Sequence, residues 1–554
     1  EFSRLFKGLF RSYSRSMDQS LIAEVEAWIA DDPDPVTAAQ LRQWLDTNNE
    51  VELRASFNGF LQFGTAGLRG PIRPGPSGMN RAVVGRAASG IVAYMKERKL
   101  TSVVIGRDAR YGSEDYTFET AEIMSGAGMT VYVLPRPLPT PVLAFATNEL
   151  ACDVGIMVTA SHNPPQDNGY KVYLGGTVDG IEYRGSQIVS PTDVSIAQKI
   201  DSIKSLKAQP RGKEWTVLGE DVIEKYIART ASLATQPGNL RIVYTAMHGV
   251  GTETIQRVFH KAGFPSPILV DAQAAPDPDF PTVAFPNPEE PGAIDLALET
   301  AKSFDAHLVI ANDPDADRCA AAVNDPAVGW RMLRGDELGA IFGESIARKT
   351  KNGILANSIV SSSILKKIAG HYNLEFKETL TGFKWLAKIK GLTFGYEEAL
   401  GYAVDAITVN DKDGISAAIT LAQIATDLAA EGKTVLDLLD EVWARHGFHA
   451  TEQISIRLSD LSKVGVILGG LRNNPPKEIA GRSVSSIDDL AAPTDGLPPT
   501  DGLRIWLDGG VRIIIRPSGT EAKMKCYIEA IEKDSKTAQV VLDQLRPPLK
   551  ELLS

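Results

Sequence analysis

One stretch of the chain, residues 151–173, constrains the fold more than any other. Its first part, 152–158, is short and apolar and contains several β-branched residues, which is typical of a strand buried inside a sheet. Thr159, Ala160, Ser161, His162 and Asn163 follow directly and lead into a Pro-Pro turn. Open α/β sheets bind their ligands at the carboxyl ends of the strands. Ser161 is therefore predicted to lie where a ligand would bind.

Ser161 taken alone has a simpler interpretation, since a serine before a turn usually caps a helix or closes a local turn. The G-x-S-x-G elbow of serine hydrolases is absent. An S-x-x-K pattern begins at Ser363, but without S-D-N or K-T-G we interpret it as chance. Lys171 follows Ser161 by ten residues, at the start of another extended run. The stretch thus contains a candidate nucleophile and a candidate proton carrier.

Apolar strands alternate with helical patterns along most of the chain, which favours parallel α/β sheets. Two further strands are predicted to end in charged loops, as the Ser161 strand does. Gly106-Arg107-Asp108 follows one of them, so Arg107 is expected at the same sheet edge. After Gly447 the strands become longer, and a helix closes the chain. The length of 554 residues fits three or four domains.

Three carboxylates follow another predicted strand at alternate positions, Asp313, Asp315 and Asp317. Such carboxylates repel one another unless a cation lies among them, and hard oxygen ligands indicate Mg²⁺. An EF-hand loop begins with the same spacing, but Arg318 stands where its glycine would be and Asn324 where its glutamate would be. A solvated acidic turn is the remaining alternative. The position at a strand end favours a metal site.

Three more segments carry candidate binding groups. The glycine-rich stretch 63–70 contains Arg69, a combination suited to an oxyanion. Adjacent carboxylates in the stretch 395–402 could accept hydrogen bonds from sugar hydroxyls, although an exposed hairpin would look similar. The stretch 516–521 combines an arginine, two hydroxyls and a glycine, which suits a phosphate. The candidate side chains are Glu397, Glu398, Arg516, Ser518 and Thr520, with the backbone of Gly519.

The motif TASHNPPxxNGYK, together with these segments in the same order, resembles the α-D-phosphohexomutases, the phosphoglucomutase and phosphomannomutase family. The likeness extends from Phe63 to Tyr527. It implies three α/β domains and a C-terminal α+β domain around a central cleft, with expected boundaries at 17–212, 213–326, 327–447 and 448–554. The sugar stretch departs from the familiar G-E-E-S and G-E-M-S forms, because Ala399 stands where they have serine. The variant resembles the branch that includes phosphopentomutases.

The resemblance also implies roles for the candidate residues. Ser161 would carry the phosphoryl group and, with the three aspartates, hold Mg²⁺, while Arg69 would face the phosphoserine. Lys171 is expected to exchange the proton through a lowered pKa, with His162 as the rival. Arg318 would balance charge. The sugar would meet Glu397, Glu398 and Lys384, and the far phosphate Arg516, Ser518, Gly519 and Thr520.

The implied activity is interconversion of hexose 1-phosphate and hexose 6-phosphate, of glucose or mannose, through a bound hexose 1,6-bisphosphate. A phosphopentomutase or a sugar-bisphosphate synthase is the nearer alternative. A catalytically silent sugar-phosphate sensor and a phosphatase are the others. The partner would be a small sugar phosphate, and the chain would act as a monomer or homodimer.

The composition of the chain excludes several other functional classes. A net charge of −11 argues against nucleic-acid or anionic-membrane binding, and it means that a phosphate site must be built locally from a few cations. No apolar run reaches the roughly 18 residues of a membrane helix. The three cysteines are far apart, so neither a disulfide framework nor a zinc site is indicated and a cytoplasmic location is expected. Residues 1–16 are interpreted as a vector-derived remnant or, alternatively, a transit peptide.

Overall fold

The computed structural model describes residues 17–64, 67–460, 462–517 and 523–553. Residues 1–16 and the predicted phosphate-binding positions Ser518, Gly519 and Thr520 lie outside the described residues. Four main sheets, one for each segment of the chain, confirm the predicted architecture of three α/β domains and a C-terminal α+β domain. Within the described residues, no helix combines the length and apolar character that crossing a membrane requires.

The first domain begins with three helices that precede its sheet. Trp28 packs both among these helices and against the core of the sheet, and thereby joins the two parts. The helices and strands of the domain are α1 (Gln19–Asp31), α2 (Pro35–Asp46), α3 (Glu50–Ser56), β1 (Leu68–Pro71), α4 (Arg81–Arg98), β2 (Ser102–Arg107), α5 (Ser113–Gly126), β3 (Thr130–Val133), α6 (Thr140–Glu149), β4 (Val154–Val158), β5 (Asp167–Leu174), β6 (Thr177–Val178), β7 (Ile181–Glu182), β8 (Ser186–Gln187), α7 (Thr192–Asp201) and β9 (Thr216–Val217).

The sheet of the first domain has the order β1-β5-β4-β2-β3-β9, and β8 pairs with β5. Its central strands β2, β3 and β4 are parallel, and all five residues of β4 are buried, as expected for a strand covered on both faces. Since β9 pairs with β3, this sheet extends to Val217. The short strand β4 therefore delivers the residues that follow it, including Ser161, to the carboxyl edge of the sheet.

The second and third domains repeat the α/β pattern and share one apolar core. The second sheet has the order β11-β10-β12-β13-β14 and the third β16-β15-β17-β18. The elements of the second domain are α8 (Asp221–Ala231), β10 (Ile242–Thr245), α9 (Gly251–Lys261), β11 (Ile268–Leu269), α10 (Asp271–Ala274), α11 (Asp295–Ser303), β12 (Leu308–Ala311), β13 (Ala320–Asp325) and β14 (Gly329–Met332). Those of the third are α12 (Gly335–Lys349), β15 (Ile354–Ser358), α13 (Ile364–His371), β16 (Glu375–Thr379), α14 (Phe383–Leu386), β17 (Leu392–Glu397), β18 (Gly401–Ala403), α15 (Gly414–Ala430) and α16 (Val435–His446).

The fourth domain is an antiparallel sheet with a separate core. The sheet order is β19-β24-β23-β22-β21-β20, and neighbouring strands in it are antiparallel. Its elements are β19 (Phe448–Arg457), α17 (Ser462–Asn473), β20 (Glu478–Ile479), β21 (Arg482–Asp489), β22 (Leu503–Leu507), β23 (Val511–Pro517), β24 (Lys523–Glu532) and α18 (Ser535–Leu552). The long pairing of β19 with β24 explains the longer apolar runs in this part of the sequence.

Candidate active site

Ser161 lies just beyond β4 and presents its hydroxyl to the second domain. Its φ of 52° is in the left-handed region, which is uncommon for a residue with a side chain and is found at functional turns. The backbone N–H donates to Thr159 Oγ1 at 2.9 Å, and Oγ donates to Asp313 Oδ2 at 2.7 Å. Although the residue is only 3% exposed, the hydroxyl borders a cavity. The turn thus directs one buried hydroxyl toward a carboxylate of another domain.

Arg110 holds the Ser161 turn in place. Its guanidinium pairs with Asp108 at 3.2 Å and donates to four backbone carbonyls at 2.6–3.2 Å, those of Ser161, Asn163, Pro164 and Asp167. Asp108 in turn accepts a hydrogen bond from Thr159 Oγ1 at 2.7 Å. Carbonyls of an irregular turn need donors when they are buried, and one rigid guanidinium supplies them together.

Arg107 was predicted at this sheet edge. It lies there, but its guanidinium pairs with a residue outside the Ser161 turn. Arg107 does end β2 opposite Val158 of β4, so its backbone lies where it was predicted. Its guanidinium, however, pairs with Glu114 at 3.3 Å. Arg110 holds the turn instead, and the signal that could have found it is the further charge in Gly106-Arg107-Asp108-Ala109-Arg110.

The aspartate loop, residues 312–318 between β12 and β13, faces the Ser161 turn. Asp315 Oδ2 accepts from Thr140 Oγ1 at 2.6 Å and from Lys171 Nζ at 2.7 Å. Asp317 Oδ2 accepts from the same ammonium at 2.8 Å. Asp313 Oδ1 accepts from the backbone N–H of Arg318 at 3.0 Å. The predicted serine, lysine and three aspartates are therefore brought into direct contact, across two domains and about 150 residues of chain.

The aspartate loop has the donor set of a metal site. One carboxylate oxygen from each of Asp313, Asp315 and Asp317 lies within 4.8 Å of the others. In the part of the chain that the structure describes, Oδ1 of Asp315 and Oδ1 of Asp317 are buried without a hydrogen-bond partner. A buried carboxylate oxygen without a donor is costly, and a hard cation satisfies several at once. The residues fit a divalent ion bound through oxygen.

Burial and neighbouring charges give the site residues unusual pKa values. Burial and the carboxylates of Asp315 and Asp317 raise the pKa of Asp313. Burial opposes ionisation of Asp317 as well, but Lys171 and Lys412 lower its pKa overall. Burial and two arginines lower the pKa of His162 well below its usual range, so its ring is neutral at pH 7. The Nδ1 atom of this ring lies 3.3 Å from Ser161 Oγ.

The pKa of Lys171 differs in direction from the sequence-based expectation of a lowered value. Burial alone would lower it, but the ammonium contacts two carboxylates, and their charges raise the pKa above 10.5. The expectation was wrong because it assumed that cations surround this lysine. Lys171 is therefore protonated at neutral pH.

A cavity of about 250 Å³ opens beside Ser161 and collects side chains from three domains. Five of the lining residues are cations, although the chain as a whole is acidic. A locally basic cavity of this kind is suited to an anionic ligand. Of the predicted residues, it brings together Arg69, Ser161, Lys171, Asp317, Arg318, Lys384 and Glu397. Gln187, Thr381, Phe383 and Lys412 line it as well and were not predicted.

The two predicted glutamates have different surroundings. Glu397 lines the cavity, and its Oε1 accepts from the backbone N–H of Gly382 at 2.6 Å. Glu398 Oε2 instead accepts from the hydroxyls of Ser358 at 3.2 Å and Ser361 at 2.9 Å. Ala399, the next residue, also lines the cavity, and its side chain is only a methyl group. Arg516 is at the end of β23 opposite Lys525 and is not among the residues that line the cavity.

The aspartate loop is also joined to the third domain. Arg318 forms an isolated antiparallel β-bridge with Gly401, and the N–H of Cys319 donates to the carbonyl of Leu400 at 3.0 Å. At Gly414 any Cβ would lie 2.2 Å from the carbonyl oxygen of Arg318, so only glycine permits this approach. Lys412 precedes that glycine and lies 3.4 Å from Asp317. A lysine between aspartates, in Asp411-Lys412-Asp413, is the sequence signal that was overlooked.

The fold and the site define a class: a multidomain α/β protein with a buried serine, a carboxylate triad and a cationic cavity at the junction of its domains. Family models for phosphoglucomutase/phosphomannomutase match four successive segments of the chain. Alpha/beta/alpha domains I, II and III match residues 61–205, 223–329 and 334–446, and the C-terminal domain matches residues 471–545. The chain belongs to the phosphoglucomutase/phosphomannomutase family of enzymes.

Individual relatives agree with this membership. The chain is 49% identical over 482 residues to a probable phosphomannomutase of Haemophilus influenzae, covering 86% of this chain and 98% of that protein. It is 34% identical over 576 residues to a phosphopentomutase of Mus musculus, covering 93% and 90%. A solved structure of a phosphoglucomutase/phosphomannomutase family protein from Burkholderia thailandensis superposes with a TM-score of 0.69 at 20% identity, covering 88% and 97%. That last likeness concerns the fold alone.

Proposed function

We propose that the protein interconverts hexose 1-phosphate and hexose 6-phosphate, of glucose or mannose, by passing a phosphoryl group through Ser161 and a bound hexose 1,6-bisphosphate. The observation that carries the proposal is the contact of the Ser161 hydroxyl with the aspartate loop at the edge of a cationic cavity. Family membership and the probable phosphomannomutase relative support it. The enzyme would act in the cytoplasm, as a monomer or homodimer.

The side chains around Ser161 suit phosphoryl transfer, which requires positioning and charge compensation more than covalent participation. Arg69 and Arg318 stand at the cavity as donors for the oxygens of the transferred phosphoryl group. Lys171 and Lys412 keep positive charge beside it. Asp313, Asp315 and Asp317 would hold Mg²⁺, which when bound polarises the seryl phosphate.

Proton exchange accompanies each transfer, because the attacking sugar hydroxyl loses a proton and the leaving Ser161 oxygen gains one. Lys171 is protonated and stands at the cavity, so in this proposal it donates to the leaving oxygen. Having donated this proton, Lys171 can take up the one that the sugar hydroxyl loses. His162 is neutral, and its Nδ1 lies 3.3 Å from Ser161 Oγ, so it is the candidate acceptor of the Ser161 proton in the return transfer, when Ser161 attacks the bisphosphate. Lys384 and Glu397 line the same cavity and would contact the sugar, with Glu398 positioned behind them.

The far phosphate of the sugar is assigned to Arg516, Ser518, Gly519 and Thr520. The support for this part of the proposal is the composition of the stretch and the match of the C-terminal family domain to residues 471–545. Since Arg516 lies outside the cavity lining, the fourth domain would have to move toward the cavity when substrate binds.

Turnover of glucose 1-phosphate, mannose 1-phosphate and ribose 1-phosphate, measured side by side, tests the proposal. We expect a preference for a hexose and, after incubation with glucose 1,6-bisphosphate, one phosphoryl group on Ser161 by intact-protein and peptide mass spectrometry. A pentose preference of about tenfold or more in kcat/KM, roughly 1.4 kcal/mol, would instead establish the second candidate. That candidate, a phosphopentomutase, is favoured by Ala399 and by the mouse relative.

Three further outcomes would contradict the mutase proposal. Net release of inorganic phosphate would indicate a phosphatase. A bisphosphate synthase would accumulate sugar bisphosphate when supplied with a phosphoryl donor. Absence of both turnover and phosphorylation of Ser161 would indicate a sugar-phosphate sensor.

A further inference from the structure

Gln187 lines the same cavity and takes no part in the mechanism described above. It is the last residue of β8, at the edge of the first domain, and pairs with Tyr173 of β5. Its neighbours in the cavity wall are mostly charged, and Gln187 has the one side-chain amide among the lining residues that the structure describes. The residue is half-buried.

The orientation of the Gln187 amide is determined by a carboxylate. Its Nε2 lies 2.8 Å from Asp411 Oδ2. An ionised carboxylate can only accept hydrogen bonds, so the amide must present its N–H₂ group to Asp411 and its carbonyl oxygen, Oε1, elsewhere. Asp411 is itself held, because the backbone N–H of Lys412 donates to its other oxygen at 2.8 Å. Among the described residues, the bond to Asp411 is the only one that this amide makes.

The third domain also holds the backbone around Gln187. Lys388 Nζ donates to Ser186 Oγ and, at 3.4 Å, to the carbonyl of Gln187. The same ammonium lies 3.9 Å from the centre of the Tyr183 ring. Asn410 Nδ2 donates to the carbonyl of Tyr183 at 2.8 Å. The position of Gln187 is therefore set jointly by the first and third domains, in line with a role at the cavity between them.

A neutral hydrogen-bond acceptor such as the Gln187 carbonyl oxygen complements the charged groups of this cavity. Phosphate oxygens are satisfied by donors, and five cations supply donors only. Sugar hydroxyls also need acceptors. Asp317 belongs to the candidate metal site, and Glu397, whose Oε1 already accepts from Gly382, has one further oxygen to offer to the sugar. Gln187 Oε1 is a neutral acceptor for which the described part of the chain supplies no donor. Ala399 offers no polar side chain at its part of the wall.

We propose that Gln187 is a specificity-determining residue, whose Oε1 accepts a hydrogen bond from a ring hydroxyl of the sugar bound in this cavity. The inference rests on the proposed function, since it takes a phosphorylated sugar as the ligand. It assigns part of the recognition of the sugar ring to the first domain. Asp411 acts on this contact as a positioning residue, because it determines which end of the amide faces the cavity.

The test compares wild type with Gln187→Met, which keeps the length of the side chain but removes both polar groups. The substrates are glucose 1-phosphate and its 2-deoxy, 3-deoxy and 4-deoxy analogues. We expect Gln187→Met to lower kcat/KM for glucose 1-phosphate by about tenfold or more, since a hydroxyl is left without an acceptor. One deoxy analogue should be poor for wild type relative to glucose 1-phosphate and should lose that disadvantage in the variant.

Two variants serve as controls. Gln539→Met removes a comparable amide, which donates to Asp543 at 2.9 Å on the exposed surface of α18, and should leave kcat/KM unchanged. Gln187→Ala cannot crowd the cavity and should lose the same hydroxyl dependence as Gln187→Met. Equal unfolding temperatures of the variants and wild type would establish that folding is intact.

The proposal would be overturned if Gln187→Met and Gln187→Ala kept kcat/KM within twofold of wild type, or if every deoxy analogue were penalised equally in wild type and variants. Calorimetric Kd values for glucose 1-phosphate and the same analogues distinguish this result from failure of the proposed function. If wild type turned over no sugar phosphate, the mutase proposal would fail. Gln187 would then keep its assigned role only if the variants bound glucose 1-phosphate about tenfold more weakly and lost the discrimination against one analogue.

Discussion

Two buried groups of side chains in this protein differ in how fully their carboxylate oxygens are hydrogen-bonded. In the aspartate loop, Asp315 and Asp317 each keep one buried oxygen that has no partner among the residues the structure describes. The other cluster lies between the third and fourth domains and consists of Glu529, Ser362, Ser363, His449 and Arg512, here called the Glu529 cluster. Glu529 Oε1 accepts from Ser362 Oγ at 2.6 Å and from the N–H of Ser363 at 2.8 Å, and its Oε2 pairs with Arg512 at 3.0 Å.

The pKa values of the two clusters follow from these contacts. Burial by itself favours the protonated form of Glu529, but Arg512 and His449 lower its pKa to about 2. Burial of Asp313 is reinforced by its two neighbouring carboxylates, and its pKa is raised. Both carboxylate oxygens of Glu529 have donors or a counter-charge, whereas the aspartate loop has buried oxygens that a cation would satisfy. In this protein the buried carboxylate with donors and a counter-charge joins two domains, whereas the buried carboxylate oxygens without donors mark the candidate ligand site.

We expect the largest loss of activity from a substitution in the aspartate loop. Asp313→Asn keeps the shape of the side chain but removes the charge that faces Ser161. We expect kcat/KM to fall about 10³-fold or more, roughly 4 kcal/mol in the barrier. Without metal, the free energy of unfolding should not decrease, because repulsion among the three carboxylates is reduced. A mutase assay and urea unfolding in EDTA measure the two quantities. Activity within tenfold of wild type would contradict the assignment.

The corresponding change in the Glu529 cluster should affect stability. Glu529→Gln leaves buried Arg512 with only the more distant and partly exposed carboxylate of Glu378, at 3.7 Å, and breaking a buried pair costs about 3–5 kcal/mol of unfolding free energy. Urea unfolding and calorimetry measure the loss. Glu532→Gln, on the same strand, is the matched control, because Glu532 is partly exposed and lies 3.8 Å from Arg482, and solvent-accessible pairs contribute about 0–1 kcal/mol. If Glu529→Gln lowered the free energy of unfolding by less than about 3 kcal/mol, the Glu529 cluster would not differ from the aspartate loop in its contribution to stability.

Metal addition should stabilise the protein through the aspartate loop. At a Mg²⁺ concentration of about 100 times Kd, binding to the folded state alone adds about 2.7 kcal/mol to the free energy of unfolding. We expect the unfolding temperature of wild type to rise with Mg²⁺ and to fall again with EDTA. Asp315→Asn should reduce this response, and Glu529→Gln should retain it. An equal response in wild type and Asp315→Asn would place the ion elsewhere.

Glu398 is intermediate between the two clusters. We expect its effect on the free energy of unfolding, counted per pH unit, to be the smallest of the four. The partners of Glu398 among the described residues are hydroxyl donors and not cations, and burial, Glu397 and Asp336 raise its pKa to about 7. Between pH 4.5 and about 7 the folded state therefore binds this proton more tightly than the unfolded state. The stabilisation is present below pH 4.5 and is lost as the pH rises through 7.

Glu398→Gln removes this titration, and the slope of unfolding free energy against pH should change by up to about 1.4 kcal/mol per pH unit in that window. Urea unfolding at several pH values measures the slope. Glu375→Gln, at an exposed position of β16, is the control. Identical slopes for wild type and Glu398→Gln would show that Glu398 does not titrate there.

Several parts of the site were predictable because they depend on local pattern. A short apolar strand followed by polar residues places Ser161 at a sheet edge, and alternate aspartates after another strand favour a metal site. The contact between Ser161 Oγ and Asp313 is consistent with both inferences. Arg107 shows the limit, because its backbone position followed from the strand whereas its side-chain partner, Glu114, did not.

The sequence by itself determined the family, the α/β architecture and the candidate serine and aspartates, because strand periodicity and loop motifs are local properties of the chain. Only the tertiary structure decided that Arg110 holds the turn, that Gln187 reaches the cavity and that Lys171 is protonated. Each of these depends on groups far away in sequence, such as the carbonyls after Ser161, Asp411 and the pair Asp315 and Asp317. Hydrogen-bond partners and the sign of a pKa shift depend on which charges lie nearby, and folding alone sets that.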